Sequence, residues 1–285
     1  MKNNYFIPLL SILVLIGPAN VSTFAQPIDK DNTPIEFYGK VVDQHGNPVP
    51  DAKIVAEVRT DHFKEYRSDK KNVLLGTDQA GNFDLIGAYG SALSLNITKE
   101  GYELSSKAER GYLYLPNGRS PNPENRMIFH MWKLEGKAVL NGSSWQGKVT
   151  CDGDTNRFDL LKGSRSSDGE LEIACIRKPL NFERTSDQPY EYKIIIRIVG
   201  GGIQPTDDEF TYVARDAGYM PEITLGKEPG QPGWQGWVRQ EFYIKTAEGD
   251  YGRLWIEWDA GHRPAPTMLS WNCSVNPSGS RNLER

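Results

Sequence analysis

Histidine and cysteine are scarce, with four His and three Cys in 285 residues. His45, His62, His130 and His262 are scattered without a close pair, so neighbours in sequence supply neither a His-rich metal centre nor a Cys–His nucleophile. Cys151, Cys175 and Cys273 match no zinc spacing. In an oxidising compartment one disulfide could form by any of three pairings, and buried free thiols are the equal alternative. An excess of either charge is also missing: 33 Lys and Arg against 37 Asp and Glu give a net −4, with both signs mixed along the chain. Without a basic stripe, nucleic acid is not an expected partner. No cofactor fingerprint and no activated Ser stand out, so no cofactor is expected.

Long apolar runs are absent beyond the first 25 residues, so the mature chain is not expected to span a membrane. Those first residues read as a secretory signal. Lys2 starts it, Tyr5 to Gly17 is apolar, Pro18 breaks the run, and Thr23-Phe24-Ala25 offers small residues where a signal peptidase reads. The run is shorter than the ~20 residues a spanning helix needs. The mature protein is expected to be secreted, periplasmic or on the cell surface.

What remains is rich in turn formers, with 28 Gly and 18 Pro, and in aromatics, with 7 Trp and 13 Tyr among short apolar runs. This predicts an all-β protein. Ile35–Val42, Val49–Val58, Phe83–Ile86 and Ala92–Thr98 alternate apolar and polar residues as half-buried strands do. His45-Gly46-Asn47-Pro48 and Thr77–Phe83 are turns, and the polar stretch Arg59 to Asn72 reads as a loop. His130, between apolar neighbours, reads as a packed core or edge histidine.

Tyr38-Gly39-Lys40-Val41-Val42-Asp43, then Gly46-Asn47-Pro48-Val49-Pro50-Asp51-Ala52-Lys53-Ile54, resembles the opening of a carboxypeptidase regulatory-like domain. Thr77-Asp78 to Phe83 is similar to that family's second turn, and Lys99 to Glu103 to its closing strand. The resemblance implies a transthyretin-like β-sandwich acting as a non-catalytic accessory module. The expected layout is a signal peptide over 1–25, this sandwich over 33–136 with its core in 33–105, and a second antiparallel β-domain over 137–285. His62-Phe63-Lys64-Glu65 has the His-x-x-Glu spacing of zinc carboxypeptidases but lies in a polar loop without a third ligand. Transthyretin-type hydroxyisourate hydrolases end in Tyr-Arg-Gly-Ser, unlike Ser280 to Arg285, and the iron-holding Tyr and His set of intradiol dioxygenases has no counterpart.

The second half carries no family likeness. Expected strands are Gly147–Cys151, Arg157–Leu161, Glu170–Arg177, Tyr190–Val199, Phe210–Ala214, Trp237–Thr246, Tyr251–Trp258 and Thr267–Ser274. Gly200-Gly201-Gly202 lacks the helix and Lys of a phosphate loop and reads as a bend. Asp152, Asp154 and Asn156 alternate oxygen donors like the start of a calcium loop, but Arg157 stands where Gly is needed and Gly163 where Glu is. A polar turn is the better reading, with a weak metal site as the alternative. Asp207-Asp208-Glu209 reads as solvated loop charge.

The hairpin from Trp237 to Trp258 carries the functional expectation. A three-residue loop Glu248-Gly249-Asp250 pairs Ile244 with Leu254, Tyr243 with Trp255, Phe242 with Ile256 and Glu241 with Glu257. One face then holds Phe242, Ile244, Leu254 and Ile256. The other holds Trp237, Arg239, Glu241, Tyr243, Tyr251, Arg253, Trp255 and Glu257. Flat rings among Arg and carboxylates suit sugar stacking, and equally the inside of a packing contact. Glu241 opposite Glu257 would resemble the carboxylate pair of a retaining glycosidase, ~5 Å apart. The expected function is an exported, non-catalytic binding or structural protein whose partner is a polysaccharide or another surface protein. The alternative is a glycan-acting or metal-dependent hydrolase using the second domain.

Overall fold

The computed structural model describes residues 32–62, 65–114, 122–178, 189–261 and 266–285. The signal segment expected over 1–25 and His262 lie outside the described residues. The protein is all-β: among the described residues eighteen strands make four sheets. No helix among the described residues is long and apolar enough to cross a membrane.

The first eight strands are β1 (Thr33–Asp43), β2 (Lys53–His62), β3 (Arg67–Gly76), β4 (Asn82–Gly90), β5 (Ala92–Thr98), β6 (Tyr102–Leu104), β7 (Gly111–Leu113) and β8 (Met127–Lys133). They form two four-stranded sheets, ordered β4-β1-β8-β6 and β3-β2-β5-β7. Alternate residues of each, among them Phe37, Ile54, Phe83, Leu93 and Phe129, interdigitate as one core. β8 runs parallel to β1, with Gly39 beside Met127.

Two turns of this sandwich share one chemistry. Asp43-Gln44-His45-Gly46-Asn47 and Asp78-Gln79-Ala80-Gly81-Asn82 differ at one position. In the first, Asp43 Oδ1 accepts from the N–H groups of His45 (2.9 Å) and Asn47 (2.8 Å). In the second, Asp78 Oδ1 accepts from Ala80 (2.9 Å) and Asn82 (2.8 Å). Each turn closes with its glycine at positive φ, +81° for Gly46 and +76° for Gly81. Burial works against the Asp43 charge, but the bonds from Asn47 and His45 outweigh it and lower its pKa. The Asn82 N–H does the same for Asp78.

The polar stretch expected as a loop, Arg59 to Asn72, is instead the end of β2 and most of β3, paired without a break from Lys53–Gly76 to His62–Arg67. The alternation fails because β3 is an edge strand, exposed over most of its length, and only Val73 and Leu75 reach the core. Charged side chains suit such an edge, which must not recruit another strand. His62 of the His-x-x-Glu spacing contacts Asp69 at 3.1 Å.

The remaining strands are β9 (Asn141–Val149), β10 (Asp152–Asp159), β11 (Ser164–Arg165), β12 (Leu171–Arg177), β13 (Tyr192–Ile198), β14 (Gly202–Thr206), β15 (Glu222–Lys227), β16 (Trp237–Lys245), β17 (Tyr251–Asp259) and β18 (Thr267–Asn276). They form five-stranded sheets ordered β11-β10-β12-β13-β15 and β14-β16-β17-β18-β9. A second core, with Phe158, Ile194, Phe242, Leu254, Trp258 and Trp271 at its centre, lies between them. Gly200 and Gly201 form the turn from β13 to β14, which carries the chain from one sheet to the other.

Three expectations are corrected here. Phe210–Ala214 is not a strand; its one bridge is Val213 with Asn282, and its side chains serve a contact described below. β14 and β15 were not expected, because both are edge strands: β14 contains Pro205, and β15 has only Ile223 and Leu225 as apolar anchors. The turn expected at 152–156 lies at Thr150-Cys151 instead, and Asp152 opens β10. All three cysteines are free and buried.

The two cores meet along a polar joint. The outward face of β8 offers His130 and Trp132 to the segment from Asp207 to Tyr212. His130 Nδ1 lies 2.7 Å from Glu209 Oε2, Lys107 Nζ donates to the Asp207 carbonyl (2.6 Å), and the Tyr212 hydroxyl donates to Glu103. The C-terminal segment closes the joint from the other side. Glu284, 2% exposed, accepts from Trp132 Nε1 (2.6 Å) and from the N–H groups of Glu135 (3.0 Å) and Gly136 (2.8 Å).

Candidate functional site

The β16–β17 hairpin holds every residue of the expected binding face, and its alternation follows from burial on one side. Phe242, Ile244, Leu254 and Ile256 are fully buried in the second core, so their neighbours in sequence must point outward. The register differs from the one expected. The loop is Ala247-Glu248-Gly249, closed by the Thr246 N–H donating to the Asp250 carbonyl at 2.8 Å, with Lys245 opposite Tyr251. The loop keeps its length but moves by one residue, because Gly249 (φ +95°) takes the last loop position, where a left-handed residue completes this hairpin type.

That shift preserves both faces and changes every partner. Glu241 is opposite Trp255, Tyr243 opposite Arg253, and Arg239 opposite Glu257. The direct Glu241–Glu257 pairing does not occur. Arg239 Nε donates to Glu257 Oε1 at 2.6 Å instead, and Glu241 Oε1 accepts from Thr211 Oγ1 at 3.1 Å.

The outward face divides into two halves. Next to the loop it is covered by the segment from Asp207 to Tyr219 and by the last residues of the chain. Tyr243 is buried with Ala214 and Leu283, and its hydroxyl donates to Asp208 at 3.0 Å. Burial, then Asp208, raises the Tyr243 pKa. Burial opposes the Asp208 charge, but bonds from Arg215 and Tyr243 prevail and lower its pKa. Tyr251 packs on Tyr219 at 6.0 Å. Arg253 lies over the Tyr212 ring at 5.8 Å, and burial followed by the Arg285 charge depresses its pKa. The acidic cluster Asp207-Asp208-Glu209 is thus engaged: Asp208 also binds Arg215 at 2.7 Å, and Glu209 meets His130.

The other half is open. Trp255 is half-buried, Trp237 is 39% exposed, and the Arg239 guanidinium stacks 4.6 Å from the Trp237 ring centroid. Neighbouring strands widen this surface beyond the hairpin. Across β18 and β9, Trp255 is followed in its row by Asn272 and Ser144, and Glu257 in its row by Ser270 and Gln146. These polar residues were not anticipated, since nothing in the sequence pairs β9 with β18 from so far away. Their alternation with buried Trp271 and Cys273 is the signal that places them outward. A groove of about 700 Å³ continues this surface, lined by Leu140, Gly142, Ser144, Asn272, Ser274 and Arg285 among others.

Asp152, Asp154 and Asn156 do not converge on a site. Asp152 Oδ1 accepts from the Thr150 hydroxyl (2.9 Å) and the Asp154 N–H (3.0 Å), while Asn156 Nδ2 donates to backbone carbonyls of Asp154 and Ile173. Among the described residues no group of three or more His, Cys, Asp or Glu is placed to hold a metal ion.

The sequence matches no family model and no curated relative. Among solved structures, the shaft pilin SpaA from Lactobacillus rhamnosus GG, in a mutant form, is similar over 60% of this chain and 90% of that chain. The identity is 9% and the TM-score 0.26, a level from which nothing follows for this chain.

Proposed function

We propose that the protein is an exported, non-catalytic binding protein that holds polysaccharide on the open half of its β16–β17–β18–β9 face. The first sandwich, by its resemblance to carboxypeptidase regulatory-like domains, then serves as an accessory module. The observation that carries the reading is the row Trp255, Asn272, Ser144: a partly exposed indole beside amide and hydroxyl groups on one sheet face. An indole offers its face to the C–H side of a sugar ring, while short polar side chains exchange hydrogen bonds with its hydroxyls. The two carboxylates nearest this surface already have partners, Glu257 in Arg239 and Glu241 in Thr211, which favours binding over bond cleavage.

Titrating the protein with a panel of soluble oligosaccharides, read by intrinsic Trp fluorescence, tests this. A saturable change for at least one glycan, weakened roughly tenfold or more in Trp255→Ala, is expected from loss of a ring contact at the centre of a site. If no member of the panel produces a saturable change, the reading is wrong.

A further inference from the structure

The groove beside this face has a single charged residue in its lining, Arg285. Its lining is short and uncharged, with Ala138, Gly142, Ser144, Asn272 and Ser274, except at one end, where Arg285 stands. The Arg285 guanidinium donates to Ser274 Oγ. Ser274 is paired across the sheet with Arg253, whose guanidinium lies over the Tyr212 ring and not in the groove. Arg285 makes no ion pair among the described residues, whereas Arg253 reaches Thr211 Oγ1 at 3.5 Å and lies in the field of Glu241 and Glu103. Elsewhere most exposed arginines of this protein are matched: Arg197 binds Glu172 and Glu222, Arg239 binds Glu257, and Arg215 binds Asp208. Arg285 has no such partner among the described residues, and an unmatched guanidinium gains when an anion enters.

Position ties Arg285, through Ser274, to the aromatic row. Gly142 and Ser274 lie in the row next to Ser144 and Asn272, and Asn272 faces Trp255. Strand spacing of ~4.8 Å and a rise of ~3.4 Å per residue put indole, amide and guanidinium within about 10 Å of one another. Gly142 keeps the floor open: a Cβ there would meet only Cys273 O at 3.7 Å and Ser274 Oγ at 3.9 Å.

We propose, resting on the glycan reading above, that this groove is an acid-sugar subsite: Arg285 receives the carboxylate of a uronic acid whose ring neighbours the Trp255 platform. A guanidinium suits a planar carboxylate because it can donate two parallel N–H bonds. The class of ligand is therefore an anionic polysaccharide built on uronic acids.

The test is calorimetric titration of the full chain with an oligogalacturonate and with the same oligomer after carboxyl reduction. The wild type should bind the acidic form roughly tenfold tighter at low salt, and the advantage should shrink as ionic strength rises. Arg285→Ala should abolish the preference and leave binding of the reduced oligomer unchanged, with its melting temperature recorded to show that it folds. Equal wild-type affinity for the two oligomers would overturn the subsite while leaving the glycan reading intact. So would a preference retained in folded Arg285→Ala. Binding of neither oligomer would remove the subsite, and the panel above then decides the broader reading on its own. The salt dependence of the wild type needs no variant and decides the matter if Arg285→Ala does not fold.

Discussion

At the scale of single residues, the paired Asp-Gln-x-Gly-Asn turns separate two costs that usually come together. Gly46 and Gly81 adopt the same left-handed backbone, and a side chain at either would pay for that conformation. Only Gly81 is also crowded, since a Cβ there would lie 2.4 Å from the Val41 carbonyl oxygen and 3.2 Å from the Val49 nitrogen. At Gly46 nothing lies within 4 Å. Gly46→Ala should therefore cost about 1–2 kcal/mol, the conformational term alone. Gly81→Ala should cost about 1–3 kcal/mol more, because backbone must shift. Urea denaturation of the two variants checks this, and equal losses would show that crowding at Gly81 is relieved cheaply. Both glycines were legible in the sequence as turn formers. Their inequality was not, because it depends on β1 and the start of β2's approach passing over one turn and not the other.

Among strands, legibility tracks position in the sheet. β5, β13 and β17 alternate cleanly because each has a neighbour on both sides and one face in a core, and the sequence reveals them without help. Edge strands β3, β14 and β15 lack that double constraint, and their composition reads as loop. The hairpin lies between these cases. Its faces were legible, since any shift of the pairing by two residues preserves them, but its partners were not, because they depend on which loop position Gly249 occupies. The faces make a sharp prediction. Trp258 is fully buried and its Nε1 donates to Thr267 Oγ1 at 2.8 Å, whereas Trp255 points outward. Trp258→Ala should lose about 3–5 kcal/mol of stability. Trp255→Ala should lose about 1 kcal/mol or less, as surface substitutions do. Chemical denaturation followed by circular dichroism distinguishes them, and comparable losses would contradict the assignment of faces.

For the molecule as a whole, the joint between the two cores is the element the sequence concealed most completely. Each of its contacts links residues about 80 or more positions apart: His130 with Glu209, Lys107 with Asp207, Trp132 with Glu284. No local pattern can announce such contacts, and the residues that make them read as loop charge or as isolated aromatics. Glu284 is their centre, a buried carboxylate satisfied by three N–H donors. Glu284→Ala leaves those donors without a partner and should cost about 2–4 kcal/mol. It should also uncouple the cores, so that calorimetry resolves two transitions where the wild type gives one. A variant that still melts in a single transition with unchanged midpoint would show that Glu284 does not hold the cores together.

The pairing of β9 with β18 sets a schedule for synthesis. β9 lies at the edge of its sheet and its partner strand is β18, roughly 120 residues further along the chain. At ~5–20 residues per second, a ribosome needs on the order of 6–24 s to deliver that partner. Through that interval Trp145 and Val149, which belong with the second core, have no sheet to enter, although every strand of the first sandwich has already been made. The sheet of β10 to β13 and β15 has all its strands by Lys227, but β9 can pair only once β18 has emerged, so the nascent chain carries an unpaired strand through that interval.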